Sequence, residues 1–542
     1  MSESISPPEE RRHARLLLAA TLAALVLWGA WFIHRSSFVV DGERYFALFD
    51  DAMISMTYAR NLVEGHGLNW AREGEPVEGF TTPLWTFLMI GANLGDLPLG
   101  VRPALVQVLS LLLLALHVVL VHRLVRKHFA SGPWSTAAPA TILTAFYYPL
   151  NFWGLVGMET ALQAVLTTSS VHLAFEIERG EARRVPALFV VLSLAYLTRM
   201  DMALLAAVVV GYLVARGAVR RSDARRWAVG VVVLGLAIAG YQTFRWFCFH
   251  DLLPNTYYLK LTGIPLEVRF LRGVTTYVAF ARENAWLLLP VLLGAVPLLR
   301  RRAELRLPLA LFAAHSVYSV FVGGDAWEMD NNVRANRFVV FVMPQLFVVA
   351  NALVNEVLDA ARRRRGEGRQ RRPIGRSYLL LVATVVLWLV ANGLWLSAKA
   401  DENWRACTVQ DRPLLVTSHL VVFRELRKLQ EIIAPGARVA TFWAGIPAYY
   451  SDYRIVDMFG YSDRAIARRD AARPLHPDDI AAYTPGHVKW DYGYVFTRRP
   501  PDAFLQAWHL PRTERAMAAR GYRQVNGFWV RDGTPWLRPE FR

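Results

Sequence analysis

The stretch Phe49-Asp50-Asp51-Ala52 runs on through Tyr58-Ala59-Arg60-Asn61 and Gly65-His66-Gly67-Leu68-Asn69-Trp70 to Glu78-Gly79-Phe80-Thr81-Thr82-Pro83-Leu84-Trp85. It follows the first long apolar run of the chain, residues 16–32. If that run crosses a bilayer, the adjacent carboxylates lie just outside the lipid, where charges are costly unless solvated, paired or used. A loop of this length, punctuated by Gly, Pro, Trp and Glu, is more than a connector. The fold therefore turns on whether residues 16–32 form a membrane span.

That run follows Arg11, Arg12 and Arg15 and ends in Trp31-Phe32 rather than in a small-residue cleavage site, so it reads as a signal anchor with a cytoplasmic N-terminus. Of the 542 residues, 54% are hydrophobic and 12% aromatic, gathered in repeated near-uniform apolar runs, which points to a polytopic α-helical membrane protein. The formal net charge of +17 comes largely from Arg clusters between those runs. There it sets topology and meets anionic lipid, so nucleic acid is excluded as a partner. Cys248 and Cys407 are too few for a disulfide framework and have no metal-ligand spacing.

Further apolar runs occupy 83–99, 103–124, 137–155, 161–175, 186–197, 202–215, 227–247, 286–299, 307–322, 338–357 and 378–396. Basic clusters at 123–127, 179–184, 216–226, 300–306 and 362–376 can all face the cytoplasm if 83–99, interrupted by Gly91, Asn93, Gly95 and Asp96, is interfacial or re-entrant. This leaves about eleven spans. The runs 186–197 and 202–215 are short, with Arg199 and Asp201 at their joint, as in broken helices lining a cavity. Beyond about residue 397 the pattern changes to strand-like runs at 438–443, 454–458 and 492–497, a helical stretch at 419–433 and a hairpin around Asn526-Gly527. The expectation is a membrane catalytic domain over 1–396 and an extracytoplasmic α/β domain over 397–542.

Under this topology the motif-like loops share the outer face: Asp50/Asp51 through Glu78, Gly157-Met158-Glu159-Thr160, Thr198-Arg199-Met200-Asp201, His250 through Lys260, and Gly323-Gly324-Asp325 with Arg334 and Arg337. Such a set suits group transfer from a lipid phosphate. Asp50 or Asp51 can be the general base toward an acceptor hydroxyl. Arg199, His250, Lys260, Arg334 and Arg337 can meet the departing phosphate. A divalent cation held by Asp50, Asp51 and Glu159 is conceivable, although carboxylate count alone does not establish one. Each feature also has a plainer reading: a solvated helix cap for Asp50-Asp51, a structural ion pair for Arg199/Asp201, a turn for Gly323-Gly324-Asp325, interface anchors for Trp70, Trp85 and Trp153. Their convergence on one face favours chemistry.

The first-loop motif, with Pro254-Asn255-Thr256-Tyr257-Tyr258-Leu259-Lys260, Pro447-Ala448-Tyr449-Tyr450 and Val456-Asp457-Met458-Phe459-Gly460, resembles the GT-C fold glycosyltransferases. The nearest likeness is to the terminal β-(1→2) arabinofuranosyltransferases of mycobacterial cell walls and their Gram-negative relatives. The resemblance implies an inverting transferase at the extracytoplasmic face of a bacterial inner membrane. Its donor would be a polyprenyl-phosphate sugar, decaprenyl-phosphoryl arabinofuranose being one candidate, and its acceptor a glycan or protein hydroxyl. It implies that a first-loop aspartate is the base, without choosing between Asp50 and Asp51. Arg199, Lys260 and Arg337 would contact phosphate, while Arg60, His66, Glu78, Thr81, Glu159, Asp201, Asn255, Tyr257, Asp325 and Tyr450 would bind substrate. Met200 stands where relatives commonly have Pro, which leaves the local turn open. Within the class, transfer of a hexose or of aminoarabinose onto lipid A or protein is the alternative. A lipid-linked sugar flippase would need charges near the midplane and repeated halves, and neither is present.

Overall fold

The computed structural model describes residues 8–72, 75–129, 136–327, 336–364, 384, 386–389, 392–393, 399–508 and 514–542. Arg334, the basic cluster 365–376 and most of the expected span 378–396 lie outside the described residues. The chain opens with helix α1 (Pro8–Arg35), a two-stranded ribbon of β1 (Ser37–Val40) and β2 (Glu43–Phe46), and α2 (Asp50–Val63). Then come α3 (Pro83–Asn93), α4 (Arg102–Leu124), α5 (Ala138–Ala145), α6 (Tyr148–Leu155), α7 (Thr160–Glu178), α8 (Val185–Thr198), α9 (Ala203–Ala215) and α10 (Ala224–Phe249). They are followed by α11 (Asn255–Leu261), α12 (Leu266–Glu283), α13 (Ala285–Leu298), α14 (Arg306–Val322), α15 (Arg337–Val340) and α16 (Met343–Arg364).

Four helical stretches among the described residues are long and apolar enough to cross a membrane: Ala14–Arg35, Arg102–Phe129, Arg221–Phe249 and Ala303–Val322. Leu266–Glu283 with Ala285–Leu298, bent by 86°, would make a fifth. The expectation of about eleven spans is not reached on this measure, because several apolar runs fold as short pieces. The run 137–155 breaks at Phe146-Tyr147 into α5 and α6, and 186–215 breaks at Arg199 into α8 and α9. α3 has 11 residues; at a rise of 1.5 Å it covers only about 16 Å, roughly half a bilayer core. α4 shows why these helices pack as they do. Val106, Ser110, Leu114, His117 and Val121 repeat at helical spacing on its buried face, while Leu105, Val108, Leu112 and Leu116 are exposed on the other. A helix that is apolar on both faces suits protein on one side and lipid on the other.

Toward the C-terminus a five-stranded mixed sheet runs in the order β4 (Arg454–Asp457), β3 (Arg438–Thr441), β5 (Ala503–Phe504), β7 (Phe528–Arg531), β6 (Tyr522–Val525). β3 is parallel to β4 and β5; β7 is antiparallel to β5 and β6. The expected hairpin forms with Val525 opposite Phe528, and both turn residues, Asn526 and Gly527, take the positive φ that such a two-residue turn needs. The expected helix forms as Val416–Ile432. The stretch 492–497, expected as a strand, is instead the helix Tyr492–Arg498. The Asp491 carboxylate accepts a hydrogen bond from Tyr494 N and caps it, and β5 takes the place in the sheet.

Candidate active site

α2 begins at Asp50, so the acidic pair occupies its first turn, where negative charge suits the helix dipole. Successive residues on a helix point about 100° apart, and the two carboxylates part company. Asp50 Oδ1 accepts hydrogen bonds from the backbone N–H groups of Gly445 (3.1 Å) and Ile446 (3.4 Å). Burial, then the neighbouring Asp51 charge, push Asp50 up to about 7 despite those donors. Asp51 instead lines a cavity of about 340 Å³. Its Oδ2 accepts from Arg337 Nη1 at 3.1 Å. Burial would raise the Asp51 carboxyl, but Arg337 and Lys260 outweigh it and hold the group below the ordinary carboxylate value.

Arg337 opens α15 and bridges two acids, with Nε 3.1 Å from Asp325 Oδ2, and its guanidinium sits 5.8 Å from the Trp153 ring centroid. Asp325 follows the tight Gly323-Gly324 turn that ends α14; both glycines have positive φ. Arg272, on α12, holds this turn from behind, donating from Nη1 to Gly323 O and from Nη2 to Asp325 O (2.9 Å). Lys260 reaches the cavity from α11 with its ammonium 5.6 Å from the Tyr461 ring centroid. It has no carboxylate within salt-bridge distance among the described residues. Burial lowers Lys260 to about 8, with Asp51 opposing that shift.

At the helix break, Arg199 is extended (φ −156°, ψ 138°), and one 3₁₀ turn, Met200–Met202, links α8 to α9. This confirms a broken helix at the cavity wall. Arg199 Nη1 donates to Glu159 Oε1 at 2.8 Å, and Nε and Nη2 engage Asp201 at 2.8–3.1 Å. The guanidinium thus faces the cavity already paired with two carboxylates. Met200, at the position that departs from the related motif, places its sulfur 3.2 Å from Arg245 Nη2.

The structure therefore brings together Asp51, Thr81, Glu159, Arg199, Asp201, Tyr257, Lys260, Asp325 and Arg337 around one cavity. It places the other expected site residues elsewhere. Arg60 donates to Tyr449 O, Glu64 and Asp452, and Tyr450 OH donates to Phe46 O; both tie the first loop to the C-terminal region. Glu78 is buried in an ion pair with Arg245 (2.5 Å) and accepts from Tyr241 OH. Asn255 Nδ2 donates to Gly460 O and Tyr461 O. His66 lies in an exposed turn, and His250, also exposed, caps α10 in the left-handed conformation. Asp50 faces Gly445. None of these residues lines the cavity.

The three carboxylates considered for a metal do not converge: Asp50 turns to Gly445, Asp51 to Arg337 and Glu159 to Arg199. No group of three His, Cys, Asp or Glu suited to a metal ion occurs among the described residues. Trp70, Trp85 and Trp153 are buried rather than interfacial, with Trp85 Nε1 donating to Gly157 O at 2.8 Å and Trp70 Nε1 to Ala444 O at 3.1 Å. Sequence reasoning missed Arg272 behind the Gly323 turn, Tyr318 in the cavity wall and Lys489, which donates to Tyr258 O and Thr262 O around α11. None sits in a motif, and the one signal for Lys489 is a lone cation inside Val488-Lys489-Trp490.

Residues 94–240 match a family model described as dolichyl-phosphate-mannose-protein mannosyltransferase. Residues 418–537 match a domain of unknown function, DUF8728. No curated protein matches the chain. Among solved structures, the chain is similar to the oligosaccharyltransferase of Archaeoglobus fulgidus. In its apo form the identity is 10% and the TM-score 0.46, covering 81% of this chain and 64% of that one. For the same archaeal enzyme, AglB, in complex with an inhibitory peptide and a dolichol-phosphate, the values are 12%, 0.47, 84% and 65%. For its complex with Zn and sulfate they are 12%, 0.48, 81% and 62%. The chain thus spans less than two thirds of that enzyme's length.

Proposed function

We propose that the protein is an inverting GT-C glycosyltransferase of the bacterial inner membrane. It would move a sugar, D-arabinofuranose in the finer reading, from a polyprenyl-phosphate donor to an acceptor hydroxyl on the extracytoplasmic face. The observation that supports this reading is the cavity in which one carboxylate, Asp51, meets two cations, Arg337 and Lys260. The match of residues 94–240 to a lipid-phosphate mannosyltransferase family adds weight. In this reading the acceptor oxygen attacks the anomeric carbon, Asp51 takes its proton, and the bond from that carbon to the phosphate oxygen breaks. The polyprenyl phosphate leaves as an anion, beside Lys260 and the Arg337 guanidinium. Asp325 holds Arg337 in place, and Glu159 and Asp201 pair with Arg199 on the cavity wall.

The base is Asp51 rather than Asp50, because Asp50 is spent on the Gly445 and Ile446 amides. Transfer of label from decaprenyl-phosphoryl arabinofuranose, with polyprenyl-phosphoryl mannose and an aminoarabinose donor in parallel, tests both the class and the sugar. Asp51→Asn should lose about 100-fold or more in rate, the usual contribution of a general base. Asp50→Asn, which keeps an acceptor oxygen for Gly445 N, should stay within about tenfold of wild type. If folded Asp51→Asn transfers sugar at the wild-type rate, the assignment is wrong.

A further inference from the structure

We propose that Lys489 is a positioning residue that acts through Lys260: its ammonium caps the carbonyl end of α11 and so determines where the Lys260 side chain stands beside Asp51. Lys489 is fully buried (0% exposed). Its Nζ donates to Tyr258 O (2.9 Å), Thr262 O (2.7 Å) and Ala467 O (2.8 Å). Two of those carbonyls flank Lys260, and the Lys260 carbonyl itself accepts from Tyr483 OH at 3.1 Å. α11 has only 7 residues, too few to be stable by its own hydrogen bonds, and the carbonyls at a helix end have no partner within the helix. Thr262 Oγ1 donates to Tyr258 O at 2.6 Å, and the C-terminal region supplies the further partners from outside, with a cation at the negative end of the helix dipole. The opposite end is held as well, by Asn255 N to Glu78 O at 2.9 Å and Asn255 Nδ2 to Gly460 O at 2.8 Å.

An ammonium has three N–H donors, and those of Lys489 are matched by three carbonyls, which leaves none for a substrate. No carboxylate lies within salt-bridge distance of it among the described residues. A buried cation held only by carbonyls is stable only where the helix end and the C-terminal region meet. The arrangement therefore couples docking of residues 467–489 to the placing of one cavity cation. This inference rests on the reading of Lys260 as a contact for the lipid phosphate.

Binding of decaprenyl phosphate to the full-length protein in lipid nanodiscs, measured for wild type, Lys260→Met, Lys489→Met and the double variant, tests it as a double-mutant cycle. Each single variant should weaken binding by about tenfold, one lost charge-assisted contact. In the Lys260→Met background, adding Lys489→Met should change the affinity by less than about twofold. Multiplying effects, or wild-type affinity for Lys489→Met beside a weakened Lys260→Met, overturn the positioning role alone. Wild-type affinity for Lys260→Met, or no saturable binding by the wild type, overturns the phosphate reading and this inference with it. Should Lys489→Met fail to fold, Tyr483→Phe removes one hydroxyl from the same carbonyl end. Its smaller loss, about two- to threefold, must likewise vanish in Lys260→Met, and persistence there refutes the proposal.

Discussion

Asp50 and Asp51 are neighbours of identical chemistry with opposite environments, and the pH dependence of activity should report that difference. Asp51 lies below the ordinary carboxylate value because Arg337 and Lys260 outweigh its burial. It is therefore already ionised at neutral pH, and the acid limb of kcat/KM should fall on the acid side of that value. Lys260, lowered to about 8, loses its charge as pH rises through that value, so donor binding should weaken on the alkaline side. Arg337→Met removes the cation and leaves burial dominant, which moves the acid limb to higher pH. A pH–rate profile of this variant with its limb unmoved would show that Arg337 does not hold the base ionised. The pair stood out in the sequence as adjacent carboxylates after the first apolar run. Which member faces the cavity was not legible there, because that depends on a turn of about 100° per residue toward partners nearly 290 and 400 positions away.

At the scale of elements, α2 packs against both α3 and the C-terminal segment around Ile446–Tyr449. A methyl group on Gly445 would stand 2.5 Å from both Asp50 O and Asp50 Oδ1 and 2.7 Å from Met53 Cβ. Gly445→Ala should therefore push the 444–449 segment off α2, destabilise the protein by roughly 1–3 kcal/mol as overpacked sites do, and lower the melting temperature together with activity. An unchanged melting temperature would show that the two elements can separate without loss. Elements with strong local signals were legible: the Asn526-Gly527 hairpin, the helix at 416–432, the break at Arg199. The helix Tyr492–Arg498 was not, since its aromatic and β-branched residues favour a strand and only the Asp491 cap and packing reverse that preference.

For the whole molecule, the exposed apolar faces of α4 and α10 indicate a lipid environment. Val231, Val232, Leu236 and Phe247 are all exposed on α10, and apolar residues gathered on one surface need covering. The orientation proposed from the Arg clusters puts Ser222 and Asp478 on opposite sides of the membrane, and both are exposed. With Cys248 and Cys407 replaced by Ser, an impermeant maleimide on intact cells should label Asp478→Cys and leave Ser222→Cys unlabelled until the membrane is opened. Labelling of both from outside would reverse the topology argument.

The sequence by itself determined what local chemistry determines: apolar runs long enough to seek lipid, basic loops between them, a broken helix at Arg199, and an adjacent acid pair after the first apolar run. These follow from composition, periodicity and turn residues, which act over a few positions. Only the tertiary structure decided that Asp51 and not Asp50 enters the cavity, that Arg60, Glu78 and Asn255 brace the site from outside it, and that Lys489 ends α11. Those outcomes depend on which backbone amides and carbonyls, hundreds of residues distant, are left without partners when the C-terminal sheet docks on the helices. No local pattern in the chain records that.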